Sequence, residues 1–219
     1  MIKLHHIPFS RSFRILWLLE EMNLTAELRI YSITDGSLRK PEFKAISPFG
    51  RVPALEIDSI TIHESGAIVE YLTETRPECG LGRLVGDPDR ISYLEWLGFA
   101  ETQASIIASL NMQHLFMGPE TPASPAVLKL EAARLGATLK AMNSSLDGQD
   151  WLLPSGFSAA DTMMGFNLFS ASYFVHVDKF KNVIAYIERI KSRPAYIRAR
   201  ALDGEQKFYN KNFYEALDV

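Results

Sequence analysis

Arg51-Val52-Pro53-Ala54-Leu55-Glu56-Ile57, followed after a short turn by Glu64-Ser65-Gly66-Ala67-Ile68-Val69, is the stretch from which the rest of the chain is best understood. A proline opening a strand has no N–H to donate and tolerates a cis bond, which turns the Val52 backbone groups outward, free to pair with a ligand's backbone. Ser65 precedes Ile68, Tyr71 and Leu72 at helical spacing, so it reads as a helix N-cap. Unpaired amides and the helix dipole at such an end favour a bound carboxylate. With the Glu64 carboxylate beside it, the stretch describes a receptor for a ligand carrying an ammonium, a carboxylate and an extended, peptide-like backbone.

Working upstream, residues 2 to 7 alternate weakly and read as a strand. Ser12 to Met22 carries helical periodicity through Phe13, Ile15, Leu16, Leu18, Leu19 and Met22, and Ala26 to Tyr31 reads as a second strand. The polar segment from Thr34 to Pro48 has room for one short helix near Glu42 to Ile46. Ala54–Ile57 and Ile60–Ile62 flank Asp58-Ser59, a pair suited to a tight hairpin, and a helix is expected from Glu64 to Thr75. The order βαβ then ββα places two parallel strands, joined by a right-handed crossover, beside an antiparallel hairpin.

Arg76-Pro77-Glu78-Cys79-Gly80-Leu81-Gly82 interrupts all periodicity, and strand signals largely vanish after it. The expected division is therefore an α/β domain over residues 1–79 and an all-helical domain over 86–219. In the latter, a helical stretch runs from Asp87-Pro88 to Phe116. Leu128, Ala132, Leu135, Leu139, Met142 and Leu146 then mark one buried stripe. Two more helices follow, over Ser158 to Phe174 and through Phe180, Val183, Ile187 and Ile190. Ser158-Ala159-Ala160-Asp161 resembles a capping box with Asp in place of Glu, a structural device that starts the central helix.

The 219 residues are 47% hydrophobic and 22% charged with a net charge of −3, the profile of an ordinary globular protein with a substantial core. No run of Lys and Arg supplies the phosphate affinity a nucleic-acid partner requires, so no such partner is expected. No apolar run is long enough to cross a bilayer, and the N-terminus lacks a signal-length apolar segment, so a cytoplasmic location is expected. The single cysteine, Cys79, sits beside Pro77 and Gly80 and reads as an incidental thiol. The histidines form no metal pattern: His5 and His6 alternate across a strand, His63 ends the hairpin, and His114 and His176 are distant. No metal is expected, although His63 beside Glu64 is placed to tune local charge.

Val52-Pro53-Ala54-Leu55, Glu64-Ser65-Gly66-Ala67-Ile68 with Tyr71-Leu72, Phe157-Ser158-Ala159-Ala160-Asp161 and the first helix, Ser10 to Glu21, together resemble the cytosolic glutathione transferases, the first helix looking like that of bacterial and fungal members. The resemblance covers nearly the whole chain. It implies a thioredoxin-like α/β N-terminal domain, an all-α C-terminal bundle, glutathione as co-substrate, small hydrophobic electrophiles as second substrates and a homodimer. By matched position, Val52 and Pro53 present the backbone that pairs with the cysteinyl unit, Glu64 and Ser65 hold the γ-glutamyl ammonium and carboxylate, and Arg51 stands near the glycyl end.

The family's catalytic Tyr, Ser or Cys lies in the loop after the first strand, and this loop has neither Tyr nor Cys. Resemblance to serine-type members, in which the serine precedes a helix Arg by four residues, selects Ser10 before Arg14. Ser12 is the reserve, with the alternative that its hydroxyl caps the first helix. The implied chemistry is anion stabilisation. A free thiol titrates near pKa ~8.5, and a serine hydrogen bond with helix amides favours the thiolate. The second substrate would meet Phe9 of the loop, Tyr93 and Trp96 of the long helix, and Met112 and Phe116 at its end; such aromatic stripes equally serve core or dimer contacts. Peroxidase activity, glutathione-dependent dehalogenation, isomerisation or reduction, and a non-catalytic binding module remain open on the same residues.

Overall fold

The computed structural model describes residues 1–216. Close contacts divide the chain into two units, residues 1–84 with 191–207, and residues 85–190 with the tail from Phe208.

The first unit is built on a four-stranded sheet of order β2-β1-β3-β4, with β1 Ile2–His6, β2 Ala26–Ile30, β3 Ala54–Ile57 and β4 Ile60–His63. β1 runs parallel to β2, with Leu4 opposite Leu28, and antiparallel to β3, with Leu4 opposite Leu55. The crossover between β1 and β2 is α1, Phe13–Glu21, whose residues from Phe13 to Leu19 are all buried. That helix is apolar on nearly every face because it is covered on more than one side. Proline opens the short α2, Pro41–Ile46, where its missing N–H costs nothing. Asp58 and Ser59 both take positive φ, 52° and 67°, which the two-residue turn between β3 and β4 requires for its twist to match the strands. α3, Ser65–Thr75, then buries Ile68, Val69 and Leu72.

The second unit is helical, with no strand among its described residues: α4 Arg90–Asn111, ending in a π-helical turn at Met112–Phe116, then α5 Pro125–Ser145, α6 Ala159–Ala171 and α7 Lys181–Lys191. Of the expected stripe, α5 buries Leu128, Leu135, Leu139 and Met142, Leu146 is buried just past its end, and Ala132 is partly exposed. α6 is buried almost throughout, and Asn167 ties it to α4 by donating to the Ala100 carbonyl at 2.8 Å. The capping box forms, with the Ser158 N–H donating to Asp161 Oδ2 at 2.7 Å. No helix among the described residues is long and apolar enough to cross a membrane.

The division differs from the expected 1–79 and 86–219. The last helix, α8 Pro194–Asp203, groups with the first unit, and the final three residues of the expected second domain lie outside the described ones. The physical reason is α1, whose Trp17 has no exposed surface and meets the Tyr196 ring edge-on at 5.2 Å. Arg193 grips Glu21 through bonds of 2.7 and 2.6 Å, and Arg198 meets Glu20 at 2.7 Å. An apolar α1 with acidic residues at its end thus recruits a partner from the far end of the sequence.

Candidate functional site

The site grows from the two ends of the β3–β4 hairpin. Before β3, Ser47 folds the chain into a turn: its hydroxyl donates to the Arg51 carbonyl at 2.8 Å and accepts the Arg51 N–H at 3.3 Å, while Gly50 takes φ 63°. The Val52–Pro53 bond is cis, and the β1–β3 register begins only at Ala54, so Val52 stands outside the ladder. After β4, Glu64 takes φ 68°, a conformation rare for a residue with a side chain, and its carbonyl accepts the Ile68 N–H at 3.0 Å as α3 begins.

Glu64, not Ser65, therefore occupies the N-cap of α3. The Ser65 hydroxyl does not cap the helix. It is 3% exposed and accepts from Arg14 Nη1 at 2.9 Å. The competing donor is a guanidinium with no exposed surface, and a charged donor in a dry setting outbids a backbone amide that can be satisfied otherwise. Ser65 is thereby pinned at the base of the site, facing a positive charge.

A small surface cleft gathers Arg51, Val52, Pro53, Glu64 and Ser65, together with Arg11, His63, Ser47 and Phe49. His63 is held by a 2.5 Å bond between Nε2 and the Ile46 carbonyl. Two guanidinium groups, one carboxylate and two serine hydroxyls border one depression at the start of α3, which suits a zwitterion with more than one carboxylate. Arg11, which lines the cleft, and Arg14, buried behind Ser65, were given no binding role in the reading of the sequence. The available signal was two arginines three residues apart, Arg14 standing within an otherwise apolar run.

Ser10 is partly buried beside Arg11 and does not itself line the cleft. Its Oγ lies 2.8 Å from Ser12 Oγ and accepts the Ser12 N–H at 3.3 Å. Ser12 precedes α1, yet its hydroxyl gives no cap bond to that helix. It is fully buried and meets His6 Nδ1 at 2.7 Å and the Ile7 N–H at 3.2 Å. Phe9, at φ 56°, sits 5.6 Å beneath the Arg200 guanidinium, and its N–H donates to Asp203 at 3.1 Å.

The cleft is lined by residues of the first unit, Phe9 not among them, whereas Tyr93, Trp96, Met112 and Phe116 belong to the second unit. Tyr93 is a correction. Its side chain has no exposed surface, because it lies with Leu97, Ala100 and Ile107 on the buried face of α4. Trp96 is partly exposed and packs edge-on against Phe99 at 5.7 Å. Met112 and Phe116, in the π-helical turn, are 51% and 47% exposed.

Comparison with known proteins reaches the same family as the motifs. The glutathione S-transferase N-terminal domain family matches residues 1–74. Glutathione S-transferase 3 of Schizosaccharomyces pombe is 28% identical over 206 residues, 89% of this chain and 85% of the relative. The disulfide-bond oxidoreductase YfcG of Escherichia coli (strain K12) is also 28% identical, over 205 residues, 89% of this chain and 92% of the relative. A solved glutathione transferase from Methylococcus capsulatus superposes with a TM-score of 0.78 at 27% identity, covering 93% of this chain and 98% of that one. Sheet order and these likenesses agree: residues 1–74 match the glutathione S-transferase N-terminal domain, and along most of its length the chain is similar to glutathione S-transferases.

Proposed function

We propose that the protein binds glutathione in the cleft and transfers its thiolate sulfur to small hydrophobic electrophiles, with peroxide reduction as a further use of the same thiolate. The carrying observation is the cleft itself, where Val52, Glu64 and Ser65 stand together with Arg11 and Arg51. Val52 offers backbone groups outside the sheet to the cysteinyl unit. Glu64 receives the γ-glutamyl ammonium. Ser65 and the α3 amides receive its carboxylate, and Arg51 answers the glycyl end.

Ser10 is the hydroxyl we assign to the sulfur. Its role is to favour the anion: lowering a thiol pKa by about 2 units requires roughly 2.7 kcal/mol, within reach of a charge-assisted hydrogen bond and helix amides together. Ser12 does not suit that role, because its hydroxyl is sealed from solvent and engaged by His6 and Ile7. The disulfide-bond oxidoreductase among the relatives supports a second reading, glutathione-dependent disulfide reduction. In that case glutathione must supply the thiols, since the sole cysteine, Cys79, lies in a short 3-10 turn after α3.

Retention on immobilised glutathione and turnover of a chromogenic aryl halide test the reading. Flow-through without turnover on several electrophiles or on a glutathione mixed disulfide would refute it. Ser10→Ala is expected to raise the bound thiol's pKa and lower the rate by about two orders of magnitude, with glutathione affinity nearly unchanged; a larger effect from Ser12→Ala on a folded protein reassigns the donor. Glu64→Ala is expected to weaken glutathione binding by roughly 2 kcal/mol in calorimetry, the cost of one charge-assisted contact.

A further inference from the structure

The hydroxyl assigned to the sulfur is one end of a longer line of groups. Ser10 Oγ is 2.8 Å from Ser12 Oγ, which is 2.7 Å from His6 Nδ1. The other ring nitrogen, Nε2, is 3.1 Å from Asp203 Oδ1. Ser12, His6 and Asp203 have no exposed surface, whereas Ser10 is only partly buried. A continuous hydrogen-bonded line from a partly buried hydroxyl to a fully buried imidazole and carboxylate has the connectivity needed to move a proton.

The donor inventory gives the line a direction. Asp203, ionised, only accepts: it takes the Phe9 N–H at 3.1 Å, a bond from Arg200, and Nε2–H of His6. In the neutral ring Nδ1 is then an acceptor, so Ser12 donates to it. Ser12 Oγ accepts the Ile7 N–H at 3.2 Å and the Ser10 hydroxyl, while the Ile7 carbonyl at 3.3 Å is a second, longer acceptor for the Ser12 proton than Nδ1 at 2.7 Å. Ser10 Oγ accepts the Ser12 N–H and keeps one lone pair for an incoming proton.

We propose that Ser10, Ser12 and His6 form a relay that draws the thiol proton of bound glutathione inward to His6 Nδ1, where Asp203 faces the imidazolium that results. This rests on the glutathione reading above. The S–H bond breaks, leaving its electron pair on sulfur, and a new O–H bond forms on Ser10. Ser10 passes its original proton to Ser12, Ser12 passes its own to His6, and an Nδ1–H bond forms. Every hydrogen bond in the line reverses as a result: Nδ1–H donates to Ser12, Ser12 to Ser10, and Ser10 to the thiolate. The groups that remove the proton thereby become the donors that hold the anion, which overcomes the weakness of a serine as a base. The charged groups facing His6 are Asp203 and, across it, Arg200, both from α8. His5 points to the opposite face of the sheet, bonded to Tyr31 and Glu56.

The test counts protons. Wild-type protein is mixed with glutathione in weak buffer near neutrality, thiolate being read from its ultraviolet band and released protons from an indicator dye. The relay expects thiolate to form with well under one proton released per site; about one proton per thiolate overturns it. His6→Asn keeps a polar group opposite Ser12 but cannot store the proton. It should need a pH higher by about one unit for the same thiolate band, ~tenfold less thiolate at neutrality, and should release about one proton for each thiolate formed. S-methylglutathione, which has no thiol proton, should bind both proteins alike, a result that purely structural damage would not give. A His6→Asn titration superimposable on wild type, or proton retention by that variant, overturns the relay; if the variant fails to fold, the wild-type count alone decides. Failure of the wild type to bind glutathione at all instead removes the functional reading beneath it.

Discussion

Among the described residues each unit buries one carboxylate completely, and the two are wired in opposite ways. Asp161 in the helical unit accepts the Ser158 N–H at 2.7 Å, the Leu152 N–H at 3.2 Å and the hydroxyls of Ser158 and Tyr186 at 3.2 and 2.8 Å. All four donors are neutral, and burial pushes this carboxyl up to about 6. Asp203 in the sheet-bearing unit instead faces the Arg200 guanidinium and the His6 ring, and only one of its named donors, Phe9 N–H, is an ordinary amide. A carboxylate ringed by dipoles holds a loop and a helix start together and leads nowhere else. One that faces a cation and an imidazole is linked to the hydroxyls of the loop after β1, where chemistry is proposed.

The largest expected effect falls on the closed network. Asp161→Ala strands four buried donors and should cost about 4 kcal/mol of stability by chemical denaturation, with the helical unit failing first. A loss under about 1 kcal/mol would break the distinction, since Asp161 would then hold nothing the solvent could not.

Next in size is a dependence on pH. Asp161 titrates near 6 in the folded protein and near 3.9 in an unfolded chain, so between these values the folded state keeps a proton that the unfolded state has released. Its contribution to stability is therefore fullest below about pH 4 and is lost as pH rises through 6, a span worth about 3 kcal/mol. The advantage of wild type over Asp161→Asn should be larger at pH 5 than at pH 7 when both are unfolded in urea. A constant gap between pH 4 and 7 would show that the four donors, not burial, dominate this carboxyl.

The smallest effect sharpens the other side of the comparison. Asp203→Asn keeps an oxygen for the Phe9 N–H, and the Arg200 side chain, 34% exposed, can turn to water. About 1–2 kcal/mol of stability should be lost, less than at Asp161. A loss as large as that of Asp161→Ala would make the two carboxylates equivalent.

Much of this was legible in the chain, and the exceptions share a cause. Asp58-Ser59 between two alternating runs announced the hairpin, and Val52-Pro53 with Glu64-Ser65 announced a cleft, because turn and strand chemistry act over a few neighbouring residues. Ser65 was misread as a cap because its partner, Arg14, is fifty-one positions away. Ser12 was anticipated at a helix start, but nothing local says that its hydroxyl belongs to His6 and the Ile7 backbone. Tyr93 looked like a ligand wall because periodicity shows which residues share a helix face, while burial depends on what packs against that face. The pairing of His6 with Asp203, 197 positions apart, lies beyond any pattern of spacing.

That last separation has a consequence for how the protein is made. α8 and the Arg193 that precedes it supply the carboxylate that holds the Phe9 amide and the arginines that grip the end of α1. A ribosome will have extruded every strand of the sheet long before residue 203 leaves its tunnel. Throughout that interval the nascent first unit has an uncovered Trp17 and a loop without its anchor. It reaches its working form only when the helical segment has been translated and the chain doubles back.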